Sequence, residues 1–166
     1  MPGRCDRGTT TAVMAVIHVD DSRWDSMNCA ERIQSACHAA VTVTSLLPQN
    51  SCAHISLLLC NDARIRGLNR QFRRKDRPTD VLSFPSDGFR TPDHPNDLFL
   101  GDIALAFESC RRGASEASVS LADHIEHLVI HGCLHLLGFD HDTEENFRKM
   151  SYLETVALAK TRTYVP

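Results

Sequence analysis

Three histidines stand within one short run of the chain, His131-Gly-Cys-Leu-His135-Leu-Leu-Gly138-Phe-Asp-His141. His131 and His135 are four residues apart, so on a helix both imidazoles leave one face, one turn from each other. Gly138 then reads as the helix stop, because glycine adopts the left-handed conformation that closes many helices. Beyond it the chain can double back and bring His141 to the same point in space. Three neutral imidazoles delivered in this way suit zinc, which takes such nitrogens at about 2.0–2.1 Å. Two helical histidines alone would be an ordinary packed or solvated pair. The third histidine and the intervening glycine argue for a metal site.

Structural zinc is usually enclosed by four protein ligands, whereas catalytic zinc keeps a position open for water. Cys133 is two residues from His131 and points to the other side of the helix, where it reads as a buried thiol. Asp140 and Asp142 flank His141 and read as carboxylates that accept an imidazole N–H and fix the ring. His124 and His127 precede the run on the same helix and either support the ligands or simply pack. The count of three favours the open arrangement. The spacing H-x3-H-x2-G-x2-H is shared with metzincin proteases, which need a glutamate directly after the first histidine as general base. Here that residue is Gly132, which cannot move a proton, so hydrolysis of something other than a peptide is expected.

Charge suggests what that substrate is. The net charge is −3, yet Arg64 to Arg77 holds seven cations and one acid, a local +6 against −9 elsewhere. A basic cluster on an otherwise acidic protein is a candidate phosphate contact, and a solvated helix face is the other reading. The cysteines, at 5, 29, 37, 52, 60, 110 and 133, are odd in number and form no C-x-x-C pair. They read as reduced, buried thiols of a cytoplasmic protein. Residues 1–11 read as a flexible leader. Ala12 to Ile17 reads as a strand and not a signal sequence, since His18, Asp20 and Asp21 follow at once. No run is long enough to span a membrane.

The elements that must position these groups follow from periodicity and punctuation. Strands are expected over 13–20, 53–59, 79–84 and 100–107, and helices over 28–45, 62–73, 108–116, 120–137 and 143–160. Asn61 and Asp62 would cap the second helix, with Ile65, Leu68 and Phe72 facing inward. Residues 85–99, with three prolines, Gly88, three aspartates and Asn96, read as a long loop. The expected fold is α+β, a single domain over 12–162 in which one mixed four-stranded sheet is packed by four to five helices.

Two blocks of this sequence carry a family resemblance. His131 to His141 is similar to the signature H-G-x-L-H-L-x-G-[YF]-D-H of the YbeY family, and Leu68-Asn-Arg-Gln-Phe-Arg73-Arg-Lys-Asp-Arg-Pro78-Thr-Asp-Val-Leu-Ser-Phe-Pro85 resembles its L-N-x-x-[YF]-R-x-x-D-x-P-T-[DN]-V-L-S-F-P. Leu100-Gly-Asp-Ile103 is like a third, shorter block. The blocks span about residues 60–145, and the first 50 residues show no clear match. The resemblance implies a single-strand-specific endoribonuclease of 16S rRNA 3′-end maturation and ribosome quality control. It implies one zinc per chain on His131, His135 and His141, and it places the family's cleft arginine on Arg73. Arg70 and Lys75 would hold neighbouring phosphates, with His127 and Asp140 behind the ligands. Its implied partners are the 16S rRNA precursor, the small ribosomal subunit and a ribosome-associated GTPase. A non-catalytic ribosome-associated zinc protein, or a zinc hydrolase of a non-RNA substrate, stays open on the residues alone.

Overall fold

Apolar strands from both halves of the chain build the sheet, and the helices cover it. The computed structural model describes residues 11–88, 90–91 and 94–163. The strands are β1 (Ala12–Val19), β2 (Cys52–Cys60), β3 (Val81–Pro85), β4 (Arg90–Thr91) and β5 (His94–Ala106). The helices are α1 (Ala30–Thr44), α2 (Asp62–Arg73), α3 (Phe107–Glu116), α4 (Leu121–Leu136) and α5 (Glu144–Thr163), with a 3-10 turn over Ser22–Met27. The main path of the sheet is β1-β2-β5-β3, and the two-residue β4 adds to β5. β1, β2 and β5 run parallel, while β3 is antiparallel to β5. The expectation of one α+β domain on a mixed sheet is met.

β2 is central, which is why its sequence is apolar nearly throughout. The β1 edge is covered by one side chain: the Gln34 amide accepts from the Ala15 N–H at 2.9 Å and donates to the Val13 carbonyl at 2.7 Å. β3 forms the opposite edge. The larger core joins Ile33, Ile55, Leu57, Ile103, Leu105, Ile125, Val129 and Leu134, bringing α1, α4 and α5 onto one face. On the other face α2 lays Ile65 with Leu82 and Ala104.

Three details depart from the sequence expectation. The 85–99 loop is largely strand, because β5 begins at His94 and pairs Asp97 to Phe99 with Cys52 to His54. Leu100 is then bulged out, and Gly101 follows at φ +138°, where an added Cβ would lie 2.2 Å from the Phe84 carbonyl. Glycine there answers both a backbone conformation and a close approach. Phe72 is not inward but 59% exposed, since Asn69 takes the buried position on that turn. Finally, Cys29, Cys37, Cys60, Cys110 and Cys133 are free and buried, whereas Cys52 is disulfide-bonded, so the chain is not wholly reduced. Residues 1–10 of the expected leader lie outside the described residues. Among the described residues no helix is long and apolar enough to cross a membrane.

Candidate active site

α4 carries the first two histidines and is anchored at both ends. Ser120 caps its start, its hydroxyl accepting from the Asp123 N–H at 3.1 Å. Ile125, Val129, Ile130 and Leu134 bury one side of it. At Gly132 the helix presses closely on the sheet: an added Cβ would meet Ile103 at 3.0 Å and the Ser83 hydroxyl at 3.1 Å. The position that carries the metzincin base is thus taken up here by helix–sheet packing. The helix ends in a Schellman turn, with Phe139 N–H donating to the Leu134 carbonyl and Gly138 N–H to that of His135, both at 3.0 Å. Gly138 sits at φ +93° as that turn requires. Asp140 then accepts from the Asn146 amide at 2.7 Å and from the Asp142 N–H at 3.3 Å. The Thr143 hydroxyl accepts from Asn146 N–H at the start of α5. This network fixes the turn on which His141 rides.

The three imidazoles converge. Ring centroids lie 4.6 Å apart for His131 and His135, 5.2 Å for His135 and His141, and 5.6 Å for His131 and His141. One nitrogen from each ring lies within 4.8 Å of the others. The Nε2 atoms of His131 and His135 are 3.0 Å apart. Two nitrogens on one tetrahedral zinc would be about 3.3 Å apart at the usual bond length, so the donor set fits a zinc-sized ion. Burial lowers the His135 pKa, and the neighbouring His131 and His141 push it the same way, with a smaller contribution from Arg73. The neutral imidazole that ligates a metal is therefore favoured.

Behind His131 stands Glu154 from α5. Its carboxylate can only accept, so the His131 Nδ1–H donates to it at 2.6 Å and leaves Nε2 as the lone-pair donor facing the other rings. His127 Nε2 meets the second Glu154 oxygen at 3.3 Å. Burial alone would raise the Glu154 pKa, but the bonds from His127 and His131 outweigh it and hold it at about 2. The bond to Glu154 raises the His127 pKa against its burial. Glu154→Gln keeps an acceptor but removes the charge. It is expected to weaken metal binding at the three histidines roughly 10- to 100-fold, as loss of such partners typically does. Competition with a chromophoric chelator measures this, and unchanged affinity would refute the assignment.

The histidines open on a cleft of about 650 Å³ that runs beside the free edge of β3. Arg73, Lys75 and Arg77 line it, together with Asp80, Asp140 and Asp142. The Arg73 guanidinium donates to the Ser83 carbonyl at 2.9 Å. Arg74 ends α2 in the left-handed conformation, and the buried Asn69 donates its amide to the Arg77 carbonyl at 2.8 Å. These two features shape the turn that carries Lys75 and Arg77 into the cleft. Arg70 is not among the lining residues; it lies 4.0 Å from Asp76, which also receives a two-pronged contact from Arg66.

The sequence-derived candidates are thus placed unevenly. His131, His135, His141, Arg73 and Lys75 come together. His127 joins through Glu154, Asp140 serves the turn and bonds no histidine, and Arg70 faces Asp76. His124 sits apart, its Nε2 3.7 Å from the Asp80 carboxylate. Glu154 is signalled by no local motif; Asn69 is a fixed position of the block Leu68–Pro85, but its bond to the Arg77 carbonyl is visible only in the structure. A second grouping of Cys52, His54 and Asp97 is no competitor for a metal, because the Cys52 sulfur is already bonded.

Converging imidazoles beside a cationic cleft have the makings of a metal-assisted hydrolase for an anionic substrate. Comparison with known proteins supplies the family. Residues 16–162 match the model of the family described as endoribonuclease YbeY. The endoribonuclease YbeY of Jannaschia sp. (strain CCS1) is 47% identical over 152 residues, covering 87% of this chain and 93% of its own length. That of Dinoroseobacter shibae is 40% identical over 154 residues, covering 86% and 83%. The chain belongs to the endoribonuclease YbeY family, enzymes named for internal cleavage of RNA. The similarity therefore reaches back through β2, α1 and the second half of β1, well beyond the blocks of residues 60–145. The solution structure of TM1509 from Thermotoga maritima shares the fold, with a TM-score of 0.55 at 24% identity, covering 90% of this chain and 93% of that one.

Proposed function

We propose that this protein is a zinc-dependent endoribonuclease of single-stranded RNA, acting in the cytoplasm on the 16S rRNA precursor in 3′-end maturation and ribosome quality control. The catalytic domain in this reading is 12–162, and the small ribosomal subunit and a ribosome-associated GTPase are its partners. One observation carries the reading. His131, oriented by Glu154, turns its Nε2 to 3.0 Å from that of His135 in the same cleft that Arg73 lines.

His131, His135 and His141 would hold the ion. When bound, it supplies Lewis acidity that polarises a phosphoryl oxygen and acidifies water. Glu154 locks the His131 tautomer so that the ligand nitrogen needs no reorganisation. Arg73 commits one N–H to Ser83, which fixes the guanidinium and leaves its other donors for a phosphate oxygen. Its charge then opposes the negative charge that grows on the phosphoryl group during cleavage. Lys75 and Arg77 hold adjacent phosphates and contribute salt-dependent affinity. A cleft of about 650 Å³ has the size of a pocket for one or two nucleotides, which suits an unpaired strand.

The test uses protein stripped of metal and then titrated with zinc, on one RNA sequence presented single-stranded and as a duplex. Cleavage is expected with zinc on the single strand. Equal cleavage of the duplex, or activity indifferent to metal removal, would overturn the reading.

A further inference from the structure

Phe72 is a large apolar side chain left 59% exposed on the last turn of α2, directly before Arg73. It is not loose. Phe84 of β3 meets it edge to face, with centroids 5.2 Å apart and planes at 65°. Phe84 in turn packs on the smaller core of Ile65 and Leu82. The sequence neighbours of both rings, Arg73 on one side and Ser83 and Pro85 on the other, line the cleft. Neither ring lines the cleft itself; Phe72 stands exposed one residue before Arg73, which does.

The surroundings select the occupant. A strongly cationic strip repels basic partners and attracts a polyanion. A rigid exposed ring beside phosphate-binding arginine and lysine matches single-stranded nucleic acid, whose bases offer flat apolar faces at the spacing of the backbone. We propose that Phe72, braced by Phe84, is a stacking platform for one unpaired nucleobase of the RNA whose backbone Arg73 and Lys75 hold. The proposal rests on the RNA-cleaving reading above. It also gives a physical source for single-strand preference, because a paired base cannot leave its stack to lie on a side chain.

The experiment compares wild type, Phe72→Trp, Phe72→Leu and Phe72→Ala in the zinc-loaded protein. The substrates are a short single-stranded RNA and copies carrying an abasic nucleotide at each position in turn. Leucine keeps apolar contact with Phe84, so its effect is separable from folding. The Leu and Ala variants are expected to raise KM about 10-fold or more with kcat within about 2-fold, while Trp retains wild-type KM. One abasic position should reproduce the KM loss in wild type and add nothing in Phe72→Ala. Unchanged KM in the Leu and Ala variants, or an abasic penalty that persists in Phe72→Ala, overturns the platform alone. A wild-type protein that does not cut the RNA overturns the reading beneath it as well.

Discussion

His135→Ala is expected to leave the protein folded, without bound zinc, and with cleavage reduced about 1,000-fold or more. His135 supplies one of three converging nitrogens, and its Nε2 lies 3.0 Å from that of His131. Two imidazoles remaining on one helix and one turn do not enclose an ion, so affinity falls with the ligand count. A Lewis acid contributes several kcal/mol of transition-state stabilisation, and about 4 kcal/mol corresponds to roughly a thousand-fold in rate. The ring is only partly buried, so its removal leaves the core of Ile130 and Leu134 intact. Metal content by mass spectrometry and a cleavage assay on the same sample check the result. A variant that retains stoichiometric zinc and full activity would refute the site.

Arg73→Ala is expected to lower kcat/KM about 100- to 1,000-fold while zinc content stays at the wild-type level. The guanidinium lines the cleft and is held in place by the Ser83 carbonyl, so it can offer several donors at once to a phosphate. Losing the single hydrogen bond to Ser83 costs about 1 kcal/mol of stability, too little to unfold the domain. The slope of log affinity against log salt should also flatten by about 1, the mark of one lost phosphate contact. Arg73→Lys should recover only part of the loss, because one ammonium cannot keep the fork geometry of the guanidinium. Zinc loss in Arg73→Ala with an unaltered salt slope would instead make Arg73 a support for the cleft wall.

Features set within a turn or two of chain are legible in the order of residues. The i, i+4 histidines, the glycine stop and the cap residue Asn61 act over a few residues. Periodicity of 2 or 3.6 separates strand from helix on the same scale. The strand over 94–99 is not legible in this way, because its pairing with β2 is long-range and Pro95, Asn96 and Asp97 outweigh the local strand signal. Helical spacing alone turns Phe72 inward, whereas the buried place on that turn goes to Asn69, whose amide serves the Arg77 carbonyl.

The sequence by itself determined that three imidazoles approach one another from one helix and its following turn, and the class of fold. Those depend on backbone geometry that neighbouring residues dictate. Tertiary structure alone decided that Glu154, 23 residues beyond His131, would orient it. It also decided that Lys75 and Arg77 rather than Arg70 would face the histidines. Both outcomes depend on how α5 packs on α4 and how α2 ends against the β3 edge. Such packing is settled by the whole core at once, so no local pattern of residues encodes it.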